Sequence, residues 1–139
     1  MTVIESIRNW LKEYPGLSGR LDVDFLPEDA DTYSLDTVPC DETIKRYIDG
    51  SAKKQYQFAV SSRRFYDQNI AQNIDNLEFF EDLTKWVESR VKARELPKME
   101  SGKTALKIVV TSNAYPFVVT EDGKARYQIQ LRLEYYKEA

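Results

Sequence analysis

Histidine is absent from the 139-residue sequence, and cysteine occurs once, at Cys40. Without an imidazole, the chain has no Ser-His or Cys-His nucleophile pair, no histidine-liganded zinc and no side chain whose unperturbed pKa lies near neutrality. A single cysteine cannot form a bridge within the chain, so a disulfide framework is excluded and a reducing compartment is expected. These absences exclude much of the familiar chemistry of hydrolases.

Glycine and proline are also scarce, with five residues of each. Few linkers are therefore expected, and residues 1–139 are predicted to form a single domain, since domains usually have about 100–200 residues. No apolar run approaches the roughly 18 residues of a membrane-spanning helix. Four charged side chains among the first 14 residues also differ from the apolar segment of a signal peptide. We expect a cytosolic protein without a membrane partner.

The net charge of −3 argues against a phosphate-binding surface, because affinity for nucleic acid comes mainly from clustered Lys and Arg. The charge is nevertheless divided into zones. Residues 21–42 carry eight acidic side chains and no basic one, whereas the net charge is +5 over 43–66, −5 over 67–82 and +4 over 83–107. The last two zones suit a helix macrodipole. The acidic zone at residues 21–42 is either a solvated loop or a surface that meets the basic zone of a neighbouring copy.

Apolar periodicity predicts two helices. Residues 3–14 repeat at helical spacing, and Thr2 and Glu5 have the spacing of a capping box. A longer helix is predicted to start between residues 67 and 75 and to end before Pro97. Its core-facing residues are predicted to be Ile74, Leu77, Phe80, Leu83, Val87 and Val91.

Alternation with a period of two predicts strands in the rest of the chain. Two short strands are expected at residues 21–25 and 33–37. Strands over residues 44–48 and 53–64 flank Asp49-Gly50, a turn pair that suits positive φ, so these residues predict a β-hairpin.

The C-terminal third predicts a second hairpin. Its first strand covers residues 106–119 with an irregular segment at 113–116, and Asp122-Gly123 turns the chain back. In the last strand, over residues 125–135, apolar and polar side chains alternate, so one face packs and the other is wet. The element order α-β-β-β-β-α-β-β predicts an α+β fold with a mixed or largely antiparallel sheet and two helices packed on one face.

Two short motifs suggest chemistry without defining it. Asp22 and Asp24, two apart on a predicted strand, would project from one face and could hold Mg²⁺ through carboxylate oxygens. They lack a third ligand at a recognisable spacing, so an acidic strand edge is the simpler interpretation. The sequence SGKT at residues 101–104 resembles the end of a Walker A loop, but Pro97 occupies the place of the first glycine and a strand is predicted to follow.

Arg63 and Arg64 immediately precede Phe65 and Tyr66. Basic and aromatic residues in this mixture can stack on nucleic-acid bases. The acidic neighbours favour two other interpretations. Either the arginines of a strand end pair with carboxylates of the same subunit, or they contact a neighbouring subunit.

A pattern of aromatic and turn residues resembles a known family. The segments that carry it are WL and YP within residues 10–15, VDFL at 23–26, YS at 33–34, YIDGS at 47–51, QFAVSSR at 57–63, YD at 66–67, and NLEFFE at 76–81 followed by Trp86. Together they resemble the small minor capsid or tail-terminator proteins of long-tailed phages of Gram-positive bacteria and of phage-tail-like bacteriocins. The resemblance covers residues 8–90 and includes no catalytic motif.

The resemblance implies an α+β subunit that forms a ring, usually a hexamer, on the head-proximal end of the tail tube. Such a ring stops tube polymerisation and contacts the tail tube protein below and the head-completion, connector or sheath protein above. DNA passes through its lumen only as cargo. The implied subunit is not an enzyme and needs no cofactor or metal. Its place is the virion tail, assembled in the cytoplasm of the host bacterium.

A closed ring joins two different surfaces of each subunit, and segments of opposite charge supply such a pair. The hairpin and the strand end concentrate aromatic residues and arginine, which are enriched at interface centres. The candidate subunit or tube contacts are therefore Tyr47, Asp49, Arg63, Arg64, Tyr66 and Asp67. Two alternative functions are a metal-dependent phosphoryl hydrolase that uses Asp22 and Asp24, and a non-catalytic adaptor domain.

Overall fold

A computed structural model describes residues 1–17, 21–28, 30–66, 70–119 and 123–139, without the side chains of residues 117 and 118. The described chain contains two helices and seven strands. In chain order they are α1 (Val3–Leu11), β1 (Leu21–Val23), β2 (Thr32–Val38), β3 (Thr43–Arg46), β4 (Ala52–Phe65), α2 (Ile70–Lys92), β5 (Lys103–Val110), β6 (Tyr115–Val119) and β7 (Lys124–Lys137).

The seven strands form one sheet around the two longest, β4 and β7. β2 and β3 both pair with β4, and β5 and β6 both pair with β7, in each case antiparallel. β1 pairs with β2 in parallel. The sheet is thus mixed and mostly antiparallel, which confirms the predicted α+β class.

Helix α1 begins at the predicted capping box. The backbone N–H of Glu5 donates to Oγ1 of Thr2 at 3.2 Å, and the backbone N–H of Thr2 donates to Oε2 of Glu5 at 3.4 Å. These bonds satisfy two of the backbone donors that a helix start leaves open. The helix buries Ile7, Trp10 and Leu11 against the sheet and α2.

Both helices contribute to a single core on one face of the sheet. The rings of Trp10 in α1 and Trp86 in α2 lie 4.9 Å apart, and both side chains belong to the same cluster. β7 supplies the sheet side of this cluster, where alternate residues from Ala125 to Tyr135 are buried, as its sequence predicted. The other sheet face, called the open face below, receives no residue of this cluster from either helix.

The predicted face of α2 is confirmed at Phe80, Leu83 and Val87, which are buried, and at Val91, which packs against the core, but not in the first turns. Ile74 is 58% exposed and Leu77 is 40% exposed, whereas Asn76 is fully buried. Asn76 takes the core position because its side-chain amide donates to the carbonyl of Phe65 at 2.7 Å and contacts the hydroxyl of Tyr127 at 3.4 Å. Its side-chain oxygen also accepts a hydrogen bond from Nε2 of Gln72 at 3.0 Å, so a polar residue with three internal partners occupies the core position while Ile74 and Leu77 lie outside.

Two strand predictions also need correction. β1 ends at Val23 and not at residue 25, because Asp24 has a positive φ of 52° that a strand cannot continue. The predicted strand at 106–119 is two strands, β5 and β6, which occupy successive stretches of the same edge of β7. The turn predicted at Asp122-Gly123 includes residue 122, which lies outside the described residues; Gly123 has a φ of 78°.

The buried amide of Asn76 gives a first prediction. Asn76→Ala should lower the free energy of unfolding by about 2 kcal/mol, because it leaves the carbonyl of Phe65 without its donor. Urea denaturation followed by tryptophan fluorescence would measure the change, since Trp10 and Trp86 belong to the core cluster. Asn9→Ala in α1 is the matched control, because Asn9 is exposed. Equal effects of the two substitutions would contradict the role assigned to Asn76.

Candidate interaction surfaces

The β3–β4 hairpin is held in shape by its turn residues. Oδ1 of Asp49 accepts hydrogen bonds from the backbone N–H of Ser51 at 2.9 Å and from its hydroxyl at 2.6 Å. These bonds lower the pKa of the exposed Asp49 carboxyl. Gly50 has a φ of 90°, which a residue with a side chain rarely adopts. Asp49, one of the candidate contact residues, therefore shapes the turn.

This rigid turn presents apolar side chains to solvent. Ile48 is fully exposed, and Ile44 and Tyr47 are also exposed. Lys45 lies with its Nζ 5.5 Å from the centre of the Tyr47 ring. We call this surface the hairpin knob, defined by Ile44, Lys45, Arg46, Tyr47 and Ile48. Clustered exposed apolar residues on an ordered element are typical of a contact surface.

Three other candidate contact residues, Arg63, Arg64 and Tyr66, lie at the far end of β4. Nε of Arg63 donates to the carbonyl of Pro27 at 2.7 Å. Nη1 of Arg64 lies 3.5 Å from Oδ1 of Asp31, and its guanidinium carbon lies 4.9 Å from the centre of the Phe79 ring. The arginines point to opposite faces of the sheet, and both have partners inside the subunit.

Tyr66 completes this end of the strand. Its backbone N–H donates to the carbonyl of Gly123 at 2.7 Å, and its ring packs partly against the core. Asp67 lies outside the described residues. From Ala52 to Phe65 the strand rises about 43 Å, so Tyr47 and Asp49 lie far from Arg63, Arg64 and Tyr66. The nominated residues form two groups and not one patch.

A second apolar surface, which the sequence pattern had assigned to the core, lies along α2. The exposed residue Leu77 lines a groove of about 450 Å³. We call it the α2 groove; its apolar lining is Leu77, Phe80, Val110, Ala114 and Ile129. Glu81 and Lys85 also line the groove, and they share the adjoining outer surface of α2 with Ile74, Glu78 and Asp82. Only the packing of Asn76 reveals this surface, because apolar spacing alone places Leu77 inside.

The open sheet face contains a buried carboxylate, Glu134, held by three cations. Its side-chain oxygens lie 3.2 Å from Lys53 Nζ, 3.3 Å from Lys107 Nζ and 3.4 Å from Arg132 Nη2. Burial by itself raises the pKa of Glu134, but hydrogen bonds and charges from Lys53 and Lys107 outweigh burial and lower it. The cluster joins β4, β5 and β7 on the open face.

A second polar cluster lies further along the same face. Nη2 of Arg126 donates to Oδ2 of Asp36 at 2.7 Å, and the hydroxyls of Ser34 and Ser61 each donate to this carboxylate at 2.6 Å. Asp36 and Asp31 belong to the acidic segment 21–42, and both face arginines of the same subunit. Part of the charge of this segment is therefore neutralised internally.

Asp22 and Asp24 do not share a strand face. Asp24 follows the end of β1, and its carboxylate accepts hydrogen bonds from the backbone N–H of Thr37 at 2.7 Å and from the Thr37 hydroxyl at 3.2 Å. The part of the chain that the structure describes contains no group of three Asp, Glu, Cys or His side chains placed to hold a metal ion. The SGKT segment leads into β5, and Lys103 pairs with Glu100 at 2.8 Å.

The Glu134 cluster gives a pH-dependent prediction. Glu134→Gln should lower the free energy of unfolding at pH 7 by about 1–2 kcal/mol, since it leaves three half-exposed cations uncompensated. Because the pKa of Glu134 is below the ordinary 4.5, its stabilisation is present above pH 4.5 and is lost as the pH falls through the folded value. The difference between wild type and variant should therefore shrink in acid.

Urea denaturation at a series of pH values would check this prediction. Glu138→Gln provides the control, because Glu138 is exposed beyond the end of β7. A difference between wild type and Glu134→Gln that stayed constant down to pH 3 would refute the electrostatic explanation.

Neither described helix combines the length and the apolar character that crossing a membrane requires. The 23 residues of α2 include acidic side chains through its first half and basic ones in its last turn. No protein-family model matches this chain, and no curated protein is significantly similar to it.

Proposed function

We propose that this chain is a structural subunit that closes into a ring with copies of itself and caps the head-proximal end of a phage or bacteriocin tail tube. In this role the ring stops tube polymerisation and provides the joint to head-completion, connector or sheath proteins. The resemblance over residues 8–90 suggests that the particle is a phage or bacteriocin tail. The surfaces of the subunit support the formation of a ring.

One observation supports ring formation: the subunit has two apolar surfaces of opposite charge that are too far apart to contact each other. The hairpin knob contains Lys45 and Arg46, whereas Glu81 lines the α2 groove and Glu78 and Asp82 lie on the surface of α2 beside it. Val60 of β4 pairs with Ile129 in the groove, and the strand between Ala52 and Val60 rises about 26 Å. A contact between the two surfaces therefore requires a second copy. A contact between two different surfaces closes into a ring or continues as a filament.

The nominated residues take different parts in this proposal. Tyr47 belongs to the hairpin knob and would touch the neighbouring subunit directly. Asp49 would act through the turn that it holds. Arg63 and Arg64 bind groups of their own subunit, so reversing their charges would disturb the strand end as well as any contact there. Tyr66 and Asp67 stay as predicted contacts of a neighbouring subunit or of the tube.

The open face is the surface best suited to the tube or to head-completion proteins. Its strand residues include seven cations and three carboxylates; the cations are Lys45, Lys53, Arg63, Lys107, Lys124, Arg126 and Arg132. A basic wall would retain DNA through its phosphates. We therefore expect this face to meet an acidic protein surface, while other residues line the passage for DNA.

Deletion of the gene from the phage or bacteriocin cluster that encodes it tests the proposed function. Without a cap, tube subunits continue to add, so electron microscopy should show tails longer than normal that are not joined to heads or sheaths. Complementation with the wild-type gene should restore a uniform length. Deletion particles with normal tail length and normal joining would overturn the proposal.

A further inference from the structure

We infer that the hairpin knob of one subunit docks in the α2 groove of the next. This inference rests on the proposed function, because it assigns the two surfaces that a ring of this chain would join. It commits to one occupant of the groove, a second copy of the same chain, and it orients the subunits head to tail.

The first argument is that both surfaces expose apolar side chains to solvent. Ile48 is fully exposed at the hairpin turn, and Tyr47 beside it is also exposed. The groove is concave, and Leu77, Phe80 and Ile129 give it an apolar lining. Burial of exposed apolar side chains in a preformed apolar groove is the usual source of affinity in a contact of this kind.

The second argument is charge. Lys45 and Arg46 outnumber Asp49 at the hairpin, so this surface is basic. Glu81 and Lys85 line the groove, and Glu78 and Asp82 on the adjoining surface of α2 make that side of the helix acidic. Charges of opposite sign beside the apolar residues favour contact between a knob and a groove over contact between two knobs or two grooves.

The third argument is the rigidity of the knob. The backbone N–H of Tyr47 donates to the carbonyl of Ser51 at 2.9 Å, and Asp49 binds Ser51 through both its backbone N–H and its hydroxyl. Lys45 and Tyr136 lie against the Tyr47 ring. A knob that is already ordered loses less conformational entropy on docking than a flexible loop would.

Site-directed crosslinking tests the contact. In a Cys40→Ser background, the double variant Ile48→Cys/Leu77→Cys should give a ladder of covalent oligomers with a short thiol-reactive crosslinker. The reaction is run on concentrated protein and on overlong tail tubes from the deletion particles. The control is Ile48→Cys/Val23→Cys, because Val23 and Leu77 are both 40% exposed but Val23 lies outside the groove. The control should give no ladder.

The outcomes separate this inference from the proposed function. Rings or capped tails without the 48–77 crosslink, or with equal yields for the control, would overturn the docking contact and leave the cap in place. A 48–77 ladder from a protein whose deletion leaves tail length normal would support the contact and overturn the cap. Protein that stays monomeric and uncrosslinked on tubes as well would overturn both.

Charge reversal provides an independent test. Lys45→Glu/Arg46→Glu and, separately, Glu78→Lys/Glu81→Lys should each weaken self-association at least tenfold by sedimentation, because like charges would then face each other across the contact. Combining all four substitutions in one chain should restore association. Lys12→Glu/Lys92→Glu changes the net charge equally on exposed positions elsewhere and should have little effect. Failure of the fourfold variant to recover, while it still folds, would contradict the assigned pairing.

Discussion

The pairing of β4 with β7 is the interaction on which the rest of this structure depends. The two strands are hydrogen-bonded in antiparallel register over their full 14 residues, from Ala52 opposite Lys137 to Phe65 opposite Lys124. Every other strand except β1 pairs with one of these two. Because the pairing fixes the alternation of both strands, it also decides which side chains form the core and which form the open face.

The polar half of the sheet is stabilised by contacts between distant parts of the chain. Asp36 forms an ion pair with Arg126, and Asp31 forms one with Arg64. Glu134 forms ion pairs with cationic side chains of three strands. Charge zones that look unbalanced along the sequence are thus partly balanced across strands. Two exposed surfaces keep an excess of one sign: the hairpin knob with Lys45 and Arg46, and the outer surface of α2 with Glu78, Glu81 and Asp82.

The buried amide of Asn76 links core packing to surface chemistry. It binds the carbonyl at the end of β4 and the hydroxyl of Tyr127, and it lies on the same helix face as the buried Phe80, Leu83 and Val87. Ile74 and Leu77 lie outside this face, beside acidic residues of the helix.

Local spacing and turn chemistry are enough to predict the α+β class, α1 with its capping box, the first hairpin, the alternation of β7 and the buried positions Phe80, Leu83 and Val87 of α2. Local patterns do not predict the exposure of Ile74 and Leu77, the division of residues 106–119 into β5 and β6, or the partners of Arg63, Arg64 and Asp24. Tertiary structure decided these features, since each depends on which distant backbone or carboxyl group lies within hydrogen-bonding distance. Tyr47 and Arg63 are likewise far apart because β4 is a fully extended strand of 14 residues. Spacing along the chain does not show which surfaces lie at its two ends.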